Sequence, residues 1–195
     1  MMRFFLLILV LIFSFQSLTK ADDITDFQIE GMSVGDSLLD YYSEKEIKKI
    51  KIISRNKKIK IVRANKKNNL KIYDRVMIWW FNNDEDYKII GLSGIIEFNN
   101  NLKGCKKKQK EIVESIKIIL TDISAIENET GNMHDKTGKS KTYHASFELS
   151  NRDMINIQCY KYSEEVKTNY PSTLDHLKVM IVTAVMEDHY NAAKN

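Results

Sequence analysis

The sequence predicts an α+β domain: a mostly antiparallel sheet with two helices packed on it. Three observations carry that expectation. Several short segments alternate apolar and polar residues, the period of a strand with one wet face. These segments are joined by tight turn sequences, without the βαβ alternation of a parallel sheet. One long segment, residues 105–123, instead carries apolar residues at helical spacing. The chain has 195 residues, 43% hydrophobic and 29% charged, which suits one packed core and leaves little room for two. One proline and seven glycines exclude collagen-like and Pro-rich or Gly/Ser-linker classes. Two cysteines exclude a disulfide-dense scaffold and a Cys-only zinc site.

Taken in order, Phe27 to Glu30 reads as a short strand and Gly31 to Ser37 as a glycine-containing turn. Asp36 or Ser37 is placed to cap a helix from Leu38 to Lys49, because their oxygens accept from the orphan N–H groups of a first turn. Lys57 to Arg63 alternates lysine with aliphatic residues and predicts a strand, followed by a turn over Asn65 to Asn69. Leu70 to Phe81 and Tyr87 to Phe98 read as a hairpin pair, with Gly91 and Gly94 marking a bulge or a close backbone approach. Ile112, Val113, Ile116, Ile119, Leu120 and Ile123 form one face of the helix that Cys105 opens. Residues 124–141 are polar and predict a long loop. Tyr143 to Leu149 and Ile155 to Cys159 alternate as two half-buried strands around a turn at residues 150–153. After a loop around Pro171, His176 to Glu187 predicts a long apolar strand.

The N-terminus has a three-part layout. Met1-Met2-Arg3 is a basic start, Phe4 to Phe13 an unbroken apolar run, and Ser14 to Ala21 a more polar exit with Thr19 and Ala21 before a cut. This predicts a secretory signal peptide over residues 1–21 and a domain over residues 22–195. The run is shorter than the ~18–20 apolar residues of a membrane-spanning helix, so no transmembrane anchor is expected after signal removal. The expected location is periplasmic or secreted.

Lys and Ile each occur 25 times and Asn 16 times, against five Arg, the mark of an AT-biased coding sequence. Without residues 1–21 the net charge is +2, but residues 45–71 hold twelve Lys/Arg and only Glu46. This basic segment, Lys45 to Lys71, either docks on the acidic remainder or meets an anionic partner. Nucleic acid is not expected.

Two hydrolase patterns overlap near the start. Gly31-Met32-Ser33-Val34-Gly35 matches a nucleophile elbow, and Gly35-Asp36-Ser37-Leu38 spells the block of the GDSL esterase/lipase family. A serine esterase using Ser37, or Ser33, is therefore the alternative reading. It would need a histidine to take the serine proton and, in the GDSL enzymes, an Asp three residues before it. Gly131, Lys141, Thr173 and Met186 stand there instead. His134, His144, His176 and His189 show no metal-binding spacing, and no phosphate loop occurs, so no metal or cofactor is expected. Trp79-Trp80-Phe81 reads first as sheet cover, and any pocket is expected on the sheet face near Trp79 or Trp80.

The signal-like start, Ile29 to Ser43 (IEGMSVGDSLLDYYS) and the two cysteines resemble a class of small, uncharacterised exported proteins of AT-rich free-living bacteria. The same start is loosely similar to the opening of small outer-membrane assembly lipoproteins, whose lipidated cysteine is missing here. Neither resemblance supplies a catalytic residue. The leading expectation is a non-enzymatic exported domain that binds a partner or ligand. Cys105 and Cys159 are expected to form a disulfide. An oxidising compartment favours it, Cys159 shares a strand face with Ile155 and Ile157, and Cys105 starts the helix that must pack on that face.

Overall fold

The computed structural model describes residues 23–49, 52–53, 58–65, 70–132 and 135–192. The expected signal peptide, His134 and ten of the 27 residues of the Lys45–Lys71 segment lie outside these residues.

Strands β1 (Gln28–Ile29) and β2 (Met32–Ser33) form a short ribbon. Its turn is made by Glu30 and Gly31, both at positive φ, which glycine adopts freely. The Glu30 carboxylate accepts from the N–H groups of Lys71, Ile72 and Tyr73 at 2.7–2.8 Å and so fastens a distant loop to this ribbon. The helix expected over 38–49 is split. A 3-10 turn covers Leu38–Asp40, and α1 runs only over Glu44–Lys49. The break has a local cause. Ser43 and Glu46 form a reciprocal capping box, with Ser43 N donating to Glu46 Oε2 at 2.8 Å and Glu46 N to Ser43 Oγ at 3.3 Å.

Seven strands build the main sheet: β3 (Ile59–Asn65), β4 (Arg75–Phe81), β5 (Gly91–Glu97), β6 (Ile126–Gly131), β7 (Lys141–Glu148), β8 (Met154–Lys161) and β9 (His176–Val182). Their order is β3-β4-β5-β9-β8-β7-β6, and every neighbouring pair is antiparallel. Helix α2 (Leu102–Ile119) crosses one face against β7, β8 and β9. Cys105, Val113 and Ile116 of α2 and the adjoining Leu120 are buried there with Ala145, Phe147, Ile155, Ile157, Leu177, Val179 and Ile181. The N-terminal segment joins the same core through Ile24, Ile29, Met32, Val34 and Leu38.

The α+β class and the antiparallel sheet are as expected, but the described residues hold four α-helices rather than two. Residues 124–141, expected as loop, contain β6, whose six residues are all exposed. It is a strand because β7 pairs with it, not because it buries a face. The loop before Pro171 contains α3 (Glu164–Asn169), started by Ser163 Oγ accepting from Val166 N. The long strand expected over 176–187 stops at Val182. Thr183 Oγ1 then accepts from Met186 N and opens α4 (Ala184–Ala192). The hairpin strands are shorter than expected, β4 starting at Arg75 and β5 at Gly91. The close approach expected at Gly91 and Gly94 is present. A Cβ would lie 2.3 Å from Met186 Sδ at Gly91 and 2.4 Å from the Tyr73 ring at Gly94.

Candidate functional site

The two faces of the sheet differ. Strand alternation sends Leu177, Val179 and Ile181 into the core, and His176, Lys178, Met180 and Val182 to the opposite, open face. The ladder pairings align the open-face residues in rows. One row runs Ile61, Trp79, Gly91, Val182, Met154; the next Met77, Ser93, Met180, Asn156; the next Arg75, Ile95, Lys178, Gln158, His144. Strand β5 contributes only Gly91 and Ser93 to the first two rows, so a trough lies between the tall side chains of β4 and β9. Met186 of α4 drops into one end of it, over Gly91. The resulting cleft has a volume of about 430 Å³, and its lining includes Met77, Trp79, Met154, Asn156, Lys178 and Met180.

The polar end of the cleft is rigidly wired. Tyr160 Oη donates to Gln158 Oε1 at 2.6 Å, and Gln158 Nε2 donates to His144 Nδ1 at 3.1 Å. His144 Nε2 meets Thr130 Oγ1 at 2.7 Å, which makes Nε2 the protonated nitrogen of a neutral ring. Burial holds the His144 imidazole below its usual range. Burial, with Arg75 and Lys178 nearby, brings His176 down to about 4, although Leu174 O accepts from its ring. Tyr160, stacked on His176 at 4.6 Å, is pushed up to about 12 by burial. Near pH 7 these three side chains are neutral. Burial also lowers the Lys178 ammonium, whose Nζ reaches across β5 to 5.9 Å from the Trp79 ring centroid. Ser93, wholly buried in the same floor, has no hydrogen-bond partner for its hydroxyl among the described residues.

The residues singled out in the sequence fall in different places. Trp79 lines the open-face cleft, while Trp80 points into the core at 6.0 Å from the Tyr87 ring. Ser37 Oγ donates to Asp86 O at 2.6 Å and accepts from Leu39 N at 3.2 Å, capping the 3-10 turn. Ser33 is buried, and its N–H donates to Asp36 Oδ2 at 2.7 Å. Among the described residues no histidine hydrogen-bonds to either serine. Replacing Ser37 with alanine is expected to cost about 0.5–2 kcal/mol in urea denaturation, the worth of a cap, and labelling of Ser37 by a fluorophosphonate would contradict that role. Cys105 and Cys159 form a disulfide with a Cα–Cα distance of 6.0 Å.

Within the Lys45–Lys71 segment, Lys48 is paired with Glu44. His189 lies on α4, with its ring edge-on to Phe81 at 5.1 Å. Among the described residues no three His, Cys, Asp or Glu side chains gather to hold a metal, and no helix is long and apolar enough to cross a membrane. A second concavity between α2 and β7 interleaves Lys106, Lys110 and Lys117 with Glu114 and Glu127.

The expectation of one long apolar strand over His176 to Glu187 passes over Lys178. The signal was present: His176 and Lys178 alternate with Leu177 and Val179, so the strand has one polar-ended face. Comparison with family models, with curated proteins and with solved structures finds no match for this chain.

Proposed function

We propose that this chain is an exported, non-enzymatic binding domain, and that the open face of its sheet takes a small ligand with an apolar body. The observation that supports the reading most is the trough over β5, walled by Trp79, Met77, Met154 and Met180 and closed at one end by Met186. Methionine walls adapt to varied apolar shapes, and an indole offers a flat contact surface. A cleft of a few hundred cubic ångströms with few polar groups is the usual form of a small-molecule site. Export is supported by the three-part N-terminal layout and by the disulfide, which oxidising compartments favour.

An uncharged fluorescent probe, N-phenyl-1-naphthylamine, tests the reading. The purified protein is expected to bind it saturably with enhanced probe emission. Met180→Asp is expected to weaken binding by at least about tenfold, since it places a charge in the apolar wall. A circular dichroism spectrum confirms that the variant is folded. Absence of saturable binding, or binding indifferent to Met180→Asp, overturns the proposal.

A further inference from the structure

We infer that the cleft reads the charge of its ligand, and that Lys178 anchors the carboxylate head of an amphipathic acid whose body lies along Trp79 and the methionines. The inference rests on the open-face reading above and assigns its ligand class. Its first support is charge. In the row of Lys178 and the neighbouring row of His176 and Tyr160, Glu97 is the sole carboxylate among the described residues. Glu97 is already held by Arg75 at 3.2 Å. The Lys178 ammonium has an aromatic ring near it but no carboxylate partner among the described residues, so it lacks the counter-charge that a partly buried cation needs.

The second support is the sense of the hydrogen bonds. The acceptor oxygens at this end are engaged: Gln158 Oε1 by the Tyr160 hydroxyl, and Asn156 Oδ1 by the Ser146 hydroxyl at 2.7 Å. Besides the buried Ser93 hydroxyl, which can donate or accept, what remains to face a ligand is donors, the Lys178 ammonium and the amide NH₂ of Asn156. A set of donors around one cation suits an oxygen anion. Arg75 of the same row is held by Glu97 and stands outside the cleft lining, so Lys178 presents one unit of charge, which matches a carboxylate better than the greater charge of a phosphate.

The third support is position. Glu187 is a carboxylate of the cleft lining, and it stands on α4 beyond the Met186 end. Lys178 lies four residues back along β9 from Val182, about 13 Å at strand rise. The cleft is therefore polarised along its length, with donors at one end and a carboxylate at the other. A ligand with its head at Lys178 keeps its negative charge away from Glu187 and lays its body in the apolar middle.

Displacement of N-phenyl-1-naphthylamine by decanoate, decanol and decyltrimethylammonium tests the inference below micellar concentrations. Decanoate is expected to bind about 10- to 100-fold more tightly than decanol, the range of a charge-assisted hydrogen bond. Lys178→Met is expected to remove that preference and Lys178→Arg to keep it. The decanoate-to-decanol ratio is taken within one protein sample, so a loss of folded protein does not imitate the effect. Equal binding of decanoate and decanol in the unaltered protein overturns the Lys178 anchor and leaves the apolar cleft standing. Preference for the ammonium overturns it in favour of Glu187. Failure of the naphthylamine probe and all three compounds to bind overturns both readings.

Discussion

Replacing Cys105 and Cys159 together with alanine is expected to lower stability by about 4 kcal/mol. The bond closes a loop across a sequence separation of 54, and the chain-entropy model attributes the effect to the freedom that the unfolded chain regains. Both cysteines are buried, at 1% and 0% exposure, so the folded state also loses packing at the join of α2 and β8. The loop spans α2, β6, β7 and most of β8. Opening it therefore weakens the half of the domain that carries the core-face helix. Against a typical total of about 5–15 kcal/mol, the loss is a large fraction. Urea denaturation of the unaltered protein with and without reductant, and of the double alanine variant, measures it. A loss below about 1 kcal/mol in both experiments would contradict the expectation.

What the sequence disclosed about the fold depended on whether a segment buries one face. The strand expected over Lys57 to Arg63 is β3, although Val62, wholly buried, shares the face of Lys60. Tyr143 to Leu149 and Ile155 to Cys159 pair a polar face with an apolar one, and each is a strand close to the expected limits. The helix face at Val113, Ile116 and Leu120 is buried for the same reason, while Ile119, at its margin, is 37% exposed. Elements without such a face were missed. The Ile126–Gly131 segment exposes every residue, and its strand form comes from pairing with β7, which no local period records. Helix α3 buries no residue and is held by its Ser163 cap and by Lys167. Helix α4 was hidden because Val185 and Met186 continue the apolar run of β9. Only the Thr183 cap marks where strand becomes helix.

The candidate site was legible in part. Trp79 was placed on a sheet face suited to a pocket, but the sequence did not distinguish it from Trp80, its neighbour on the other side of the pleat. The register decides. Trp79 lies opposite Gly91, which leaves space above β5, whereas Trp80 lies opposite Lys60 and packs into the core. Lys178 belongs to the site because β9 is a central strand between β5 and β8. A strand order of that kind joins residues far apart in the chain, and the spacing of residues within the strand does not reveal it.

Asp175→Ala is expected to destabilise the protein by about 3–5 kcal/mol, the range for breaking a buried ion pair by removing one partner. The Asp175 side chain is 1% exposed. Its Oδ1 accepts from Tyr162 N at 2.9 Å and faces Lys167 Nζ at 3.1 Å, and its Oδ2 faces Lys161 Nζ at 3.1 Å. The Asp175 backbone carbonyl accepts from Phe98 N at 2.8 Å. One residue thus ties the start of β9 to the end of β8, to α3 and to the segment that leaves β5 for α2. Truncation to alanine leaves the Tyr162 N–H without its acceptor, and leaves the Lys167 ammonium, which is only 15% exposed, with Asn100 Oδ1 and the exposed Glu164 carboxylate alone. Lys161, at 32% exposure, turns to solvent at small cost, so Lys161→Met is expected to lose no more than about 1 kcal/mol. Lys167→Met in the Asp175→Ala background is expected to cost less than in the unaltered protein, because the buried carboxylate it pairs with is already gone. Urea denaturation of Asp175→Ala, Lys161→Met, Lys167→Met and the double variant measures these terms. A loss below about 1 kcal/mol for Asp175→Ala, or additive losses for the double variant, would show that the carboxylate does not hold the start of β9, the end of β8 and α3 together.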